Sequence, residues 1–262
     1  MDFLWYLLAG TIAGICAGLF GVGGGLVIVP ILIWVFTMQG VNADVITHLA
    51  VGTSLATIVV TSISSMTAHN KAGNVQWAIF KNMAIGLVLG SLLGAFVAKF
   101  LKSDVLQTII GVGAMATAIR MLFFPNQENL GKPLPSSGVQ IGAGLGIGSL
   151  SAIFGIGGGS LTVPFLNHCG LPMKQAVGTS AACGLPIAIA GAVGFAVFGQ
   201  GVDLGVDGAI GFVHIGAFVG ISVMSAIFAK VGAKLAQKLP AKQLKQGFGG
   251  LLLIVGIKMA FF

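Results

Sequence analysis

FGVGGGLVIVP occupies residues 20–30, and FGIGGGSLTVP occupies residues 154–164. Each stretch sets a run of closely spaced glycines between a leading Phe and a trailing Val-Pro. Glycine permits positive φ and lets another group approach the main chain closely. A helix that starts directly afterwards presents unpaired N–H groups and a partial positive charge. Such an end binds anions. The candidate ligands are therefore the backbone N–H groups of Gly23, Gly24 and Gly25 and of Gly157, Gly158 and Gly159. Helix packing through small residues is the competing reading for any single glycine, and it is the reading for Gly86, Gly90 and Gly94 with their four-residue spacing. A doubled pattern with the same flanks favours the site.

Other groups agree in sign. The segment AVGTS occurs at 50–54 and again at 176–180, supplying Thr53, Ser54, Thr179 and Ser180 as hydroxyl donors in apolar surroundings. Hydroxyls in such helices also bond back to their own backbone. Arg120 and Lys258 match across the two halves near the end of the last apolar run of each. Two readings stand for them: long cations that snorkel to the interface, or a cationic funnel tuning the entrance or exit of an anion. His48 and Lys174 match likewise, each just before AVGTS, and are candidates for the same access role. His69, His168 and His214 have no spacing like that of a zinc site. Cys16, Cys169 and Cys183 fit neither metal nor disulfide spacing and read as packing residues. No metal and no cofactor is expected.

What must position these groups is a membrane bundle. Of 262 residues, 56% are hydrophobic and 7% charged, against about 25% charged in a soluble domain. Apolar runs lie at 3–20, 45–68, 78–101, 105–124, 138–154, 175–198, 209–236 and 244–262. The expected fold is all-α, a polytopic membrane protein of about eight transmembrane helices in two homologous four-span repeats. Residues 1–124 form the first repeat, 125–137 a polar, proline-rich linker, and 138–262 the second. The short apolar pieces at 26–36 and 161–169 are too short to cross. They read as half-helices in re-entrant Gly-rich hairpins, since non-helical chain at membrane depth survives only beside protein or a water-filled cavity. Re-entrance also puts both lysine-bearing loops, Lys99 with Lys102 and Lys230 to Lys245, on one side. That side is the cytoplasm, and both termini are then outside the cell membrane.

The net charge of +7 sits mostly in short loops beside spans, where it sets orientation and implies no nucleic acid. The six acids, Asp2, Asp44, Asp104, Glu128, Asp203 and Asp207, fall in loops or at span ends. No carboxylate relay for a proton or cation symporter is evident. An anion leaving a negative interior gains about 2.3 kcal/mol per charge per 100 mV, roughly a fifty-fold gradient. Voltage alone suffices for export.

The doubled glycine-then-proline motif, the Gly-Thr-Ser that follows it and the KLPAKQLKQGFGGLLLIVGIKM ending at 238–259 resemble the sulfite exporter TauE/SafE family of membrane proteins. The resemblance covers essentially the whole chain. It implies transport of small sulfur-containing anions such as sulfite or organosulfonates. The expected partners are that anion and the lipid bilayer, with a homo-oligomer left open. An anion channel or an uptake permease for a related oxyanion is the alternative. An enzyme is not expected, because no Ser/His/Asp set, HExxH or intramembrane aspartate pair is present.

Overall fold

A computed structural model describes residues 2–20, 25–123, 135–236 and 241–261. Its described residues form ten helices and one small hairpin: α1 (Asp2–Phe20), α2 (Gly25–Met38), α3 (Ile46–Lys71), α4 (Trp77–Lys99), α5 (Ser103–Phe123), α6 (Ser137–Phe154), α7 (Gly159–His168), α8 (Met173–Phe198), β1 (Ala209–Ile210), β2 (Val213–His214), α9 (Ile215–Ala236) and α10 (Ala241–Phe261). The chain is an all-helical membrane protein. Six helices, α3, α4, α5, α6, α8 and α9, are long and apolar enough to cross a bilayer, and shorter apolar stretches lie in α1, α2 and α10. Their outer faces carry residues such as Leu8, Leu89, Ile189, Val223 and Ile254, as lipid-facing surfaces should.

Glycine sets the helix pairing. A Cβ on Gly86, Gly90 or Gly94 of α4 would lie 2.0, 2.1 or 2.4 Å from the carbonyl oxygens of Ile141, Leu145 or Ser149 on α6. Gly144 and Gly148 of α6 press in return on the carbonyls of Met83 and Leu87. The packing reading of this stripe holds: without side chains the two backbones close to contact, the small-residue mode of membrane helices. Gly10 and Gly14 of α1 meet Ile221 and Ser225 of α9 in the same way.

These contacts also fix direction. In both pairs the residue numbers rise together, so α4 runs parallel to α6 and α1 to α9. Asn74 and Ala95 meet Gly178 and Gly194, so α8 is parallel to α4 as well. By contrast Gly52 meets Phe195, Leu55 meets Gly191, and Ser62 meets Gly184, so α3 and α8 are antiparallel. Gly111 with Gly256 and Gly249 with Leu122 make α5 and α10 antiparallel.

This order corrects the expectation that both lysine-bearing loops lie on one side. Because α6 and α8 point the same way, the chain leaving α6 must travel back to the end from which α6 started, and α7 with its glycine lead makes that journey. Segment α7 does not turn back on itself. The same holds for α2, since α3 and α9 begin side by side, where the His214 amide donates to Thr53 Oγ1 at 2.9 Å, and α9 is parallel to α1. The two lysine loops consequently lie at opposite ends of the bundle. Loop charge alone does not fix helix direction, whereas the close glycine contacts do.

One end, the terminal end, gathers the start of α1 and the close of α10; the other, the linker end, gathers the close of α5 and the start of α6. The run expected to span from 209 begins instead as a hairpin at the terminal end, turning at Gly211 (φ 52°), and becomes helical at Ile215. Phe212 wedges there between the rings of His48 and Phe195, at centroid distances of 5.1 and 6.4 Å, and its amide donates to the Phe195 carbonyl at 3.1 Å. The glycines and aspartates of GVDLGVDGAIGF were the overlooked turn signal.

His214 closes this corner. The Ala217 amide donates to His214 Nδ1 at 3.1 Å, capping α9, while the Tyr6 hydroxyl lies 3.5 Å from Nε2 and donates to Gln39 Oε1 at 2.8 Å. Burial holds the His214 pKa below the usual imidazole value. The neutral ring is the one the fold prefers, so this contribution to stability is complete above the free-imidazole pKa of about 6.5. It is lost as pH falls through the lower folded value, when a proton on Nδ1 breaks the cap. The melting temperature in detergent is expected to fall between pH 7 and 5, and His214→Gln is expected to flatten that slope; an equal slope in both proteins would locate the effect elsewhere.

Candidate functional site

The break before α7 lies halfway along the two long central helices. Gly155 ends α6 in the left-handed region (φ 67°, ψ 33°), and Gly158 caps α7 in the same region (φ 75°, ψ −9°). Both turns exclude ordinary side chains. A Cβ on Gly157 would lie 2.8 Å from the Ile58 side chain of α3, and one on Gly184 of α8 would lie 2.9 Å from the Gly157 carbonyl. The Ser54 hydroxyl donates to the Gly155 carbonyl at 2.9 Å and anchors the turn to α3. Helix α2 begins against the same spot: a Cβ on Gly25 would lie 2.5 Å from the Gly155 carbonyl oxygen. The two short helices thus start together in the middle of the bundle.

At α7 the first bonds are those of the Leu161 and Thr162 amides to the Gly158 carbonyl, at 3.0 and 2.7 Å. The amides of Gly157, Gly158, Gly159 and Ser160 have no acceptor among the described residues. Gly157 and Gly159 also retain partial exposure although they lie deep in the bundle, which requires open space beside them. Unpaired donors at such depth call for a ligand or water.

Three hydroxyls that sequence reasoning did not single out border this end. Ser151 Oγ, Ser160 Oγ and Thr162 Oγ1 are buried and have no hydrogen-bond partner. Thr162 Oγ1 and Ser151 Oγ lie 3.2 and 3.5 Å from where a Cβ on Gly158 would stand. Their signal was the placement of hydroxyl residues on both sides of the glycines in SLSAIFGIGGGSLT.

Of the expected site residues, the structure brings together Gly25, Gly157, Gly158 and Gly159, with Ser54 behind them. Gly23 and Gly24 lie outside the described residues. Ser180 is buried without a partner on the same side of α8 as Gly184. Thr53 and Thr179 are elsewhere. Thr53 accepts from the His214 amide at the terminal end, and Thr179 accepts from the Gln76 amide at 2.9 Å at the linker end, so each tethers the segment leading into a neighbouring helix. Sequence alone could not separate tether from ligand, because both uses need a buried hydroxyl.

The paired cations are also separated. Since α5 and α10 are antiparallel, Arg120 lies towards the linker end and Lys258 towards the terminal end, both exposed, and they form no common funnel. His48 is buried, with Nε2 2.9 Å from the Ala98 carbonyl, whereas Lys174 is exposed at the opposite end. Pro30 and Pro164 lie beyond the first turns of α2 and α7, inside the helices, where the missing amide leaves the carbonyl one turn earlier without its usual donor. Among the described residues no group of three or more His, Cys, Asp or Glu is arranged to hold a metal ion.

An all-helical bundle in which short helices start at the core is the kind of architecture in which membrane carriers hold their substrates. Comparison with known proteins makes the class specific: residues 6–259 match the family described as sulfite exporter TauE/SafE, and the chain belongs to that family. It is 38% identical over 255 residues to a probable membrane transporter protein of Haemophilus influenzae, covering 97% of this chain and 96% of the relative. A probable membrane transporter protein of Methanocaldococcus jannaschii is 30% identical over 261 residues, covering 97% and 93% of the two chains. No solved structure matches the chain.

Proposed function

We propose that the chain exports small sulfur-containing anions, sulfite or an organosulfonate, across the cell membrane, holding them where α2 and α7 begin. The observation that carries this reading is the set of four amides at the start of α7, midway along α3 and α8, that have no acceptor among the described residues. Aligned helix dipoles and free N–H groups favour a negative solute there. The two halves act as inverted repeats, since the corresponding helices α3 and α8, and α5 and α10, are antiparallel. Broken helices at the midplane of inverted repeats are the usual site of carriers that work by rocking one half against the other.

Charge supports the orientation. The linker end carries Lys71, Lys81, Arg120, Lys174, Lys230, Lys234, Lys242 and Lys245, while the terminal end has Lys99, Lys102 and Lys258 together with Asp2, Asp44, Asp104, Asp203 and Asp207. Lysine and arginine excess marks the cytoplasmic side. Both termini are then outside, for a different reason from the one loop charge first suggested.

Proteoliposomes loaded with sulfite or ethanesulfonate test the reading. Efflux is expected to saturate with substrate and to accelerate when the inside is made negative. Efflux equal to that of protein-free vesicles for every sulfur anion would overturn it, and non-saturating flux would favour a channel.

A further inference from the structure

The site has two helix starts but only one of them is furnished with hydroxyls. Aligning the glycine clusters places Ala17, Leu26 and Ile28 of the first half opposite Ser151, Ser160 and Thr162 of the second. Each of those three hydroxyl oxygens is buried without a hydrogen-bond partner, although Ser and Thr in membrane helices readily bond back to their own backbone. Thr11, Thr37, Thr108 and Thr117 of this chain do so. Ser151 and Thr162 are both fully buried, and their oxygens converge on Gly158 from α6 and from α7. A buried hydroxyl left without a partner is destabilising. Their common target is the space above the free amides of Gly157 to Ser160.

Resting on the transport reading above, we propose that the anion is held one per chain, on the α7 side of the paired helix starts, by the α7 amides together with the hydroxyls of Ser151, Ser160 and Thr162. Leu26 and Ile28, both buried, pack into the apolar core of the bundle. The shell supplies many donors and no cation. The nearest side chains outside the hydroxyl set, Ile58 and Ile187, are apolar, with Ser62 Oγ farther off at 3.9 Å from where a Cβ on Gly157 would stand. Without a positive side chain, desolvating a dianion is far less favourable than desolvating a singly charged one. Several convergent donors suit a head group that presents several oxygens, and the isoleucines suit a short alkyl tail. The substrate class that fits is a singly charged sulfonate or hydrogen sulfite, ahead of sulfate.

The test is titration calorimetry on the full chain in lipid nanodiscs with ethanesulfonate, hydrogen sulfite and sulfate. One site per chain is expected, with ethanesulfonate bound at least about ten-fold more tightly than sulfate. Ser151→Ala and Thr162→Val, the second nearly isosteric, are each expected to weaken ethanesulfonate about ten-fold, and together about 100-fold. Leu26→Thr and Ile28→Thr should leave that affinity within about two-fold, the scale of small effects. A monodisperse elution profile and an unshifted melting temperature identify the variants that remain folded, and Thr162→Val alone decides the matter if the double variant does not. Unchanged affinity in folded Thr162→Val and Ser151→Ala would overturn the hydroxyl assignment. If Gly158→Val still abolished binding in that case, the α7 site itself would stand. If wild-type protein bound none of the three anions, both readings would fall, and sulfate binding as tight as ethanesulfonate would overturn the charge preference.

Discussion

Replacing Gly158 by Val is expected to reduce anion flux at least about 100-fold while the protein still inserts and elutes as a single species. Two independent effects act on the same position. Gly158 has φ 75°, a conformation that a β-branched residue strongly avoids. Holding such a residue there costs about 1–3 kcal/mol, and relaxing the strain rotates the amides that Gly158 and Gly159 present. The added side chain would also approach Thr162 Oγ1 and Ser151 Oγ, filling the space proposed for the anion. The closest neighbour, the Ile187 Cδ1 atom at 2.5 Å from a Cβ, is the far end of a flexible side chain and can move aside. For that reason the loss falls on binding more than on folding. Flux should be measured in proteoliposomes and normalised to inserted protein. Wild-type flux from Gly158→Val would show that the α7 start does not hold the substrate.

Gly90→Val is expected to do the reverse, destroying assembly before function is reached. A Cβ at Gly90 would stand 2.1 Å from the Leu145 carbonyl oxygen and 2.8 Å from its carbon. These are backbone atoms of a continuous helix and no rotamer change relieves the overlap. Helices α4 and α6 would have to separate along their length, breaking the contacts at Gly86, Gly94, Gly144 and Gly148 and the bond from Ser149 Oγ to the Gly90 carbonyl at 3.0 Å. Overpacking in a well-packed core costs about 1–3 kcal/mol and more where backbone must move. The melting temperature in detergent should drop by several degrees or the protein should fail to accumulate. Gly146→Ala on the facing helix α6 is the control, since nothing lies within 4 Å of its added carbon. Equal stability of the two variants would argue against close α4–α6 contact.

These two glycines show how far sequence reading reached. The packing role of Gly86, Gly90 and Gly94 was legible from their four-residue spacing, because one helix period fixes which residues share a face. The helix start at the Gly157–Gly159 stretch was legible too, and unpaired amides follow from where a helix begins. Ser151 and Thr162 were not, because they stand on either side of a break and meet only after α6 and α7 are folded around Gly158. Thr53 and Thr179 looked like ligands for a related reason: a tethering hydroxyl and a binding hydroxyl are the same residue type in the same apolar setting. Their partners, the amides of His214 and Gln76, are distant in sequence.

Composition and repeated motifs determined by themselves that this chain is a helical membrane protein of the sulfite exporter TauE/SafE family, and where its helices would break. Those properties are local, set by hydropathy over a span and by the backbone freedom of glycine. The direction of each helix, the separation of Arg120 from Lys258, and the convergence of Ser151 and Thr162 on Gly158 were decided only in three dimensions. They depend on which backbones come close enough to touch, and a residue's periodicity says which face it occupies without saying what stands opposite.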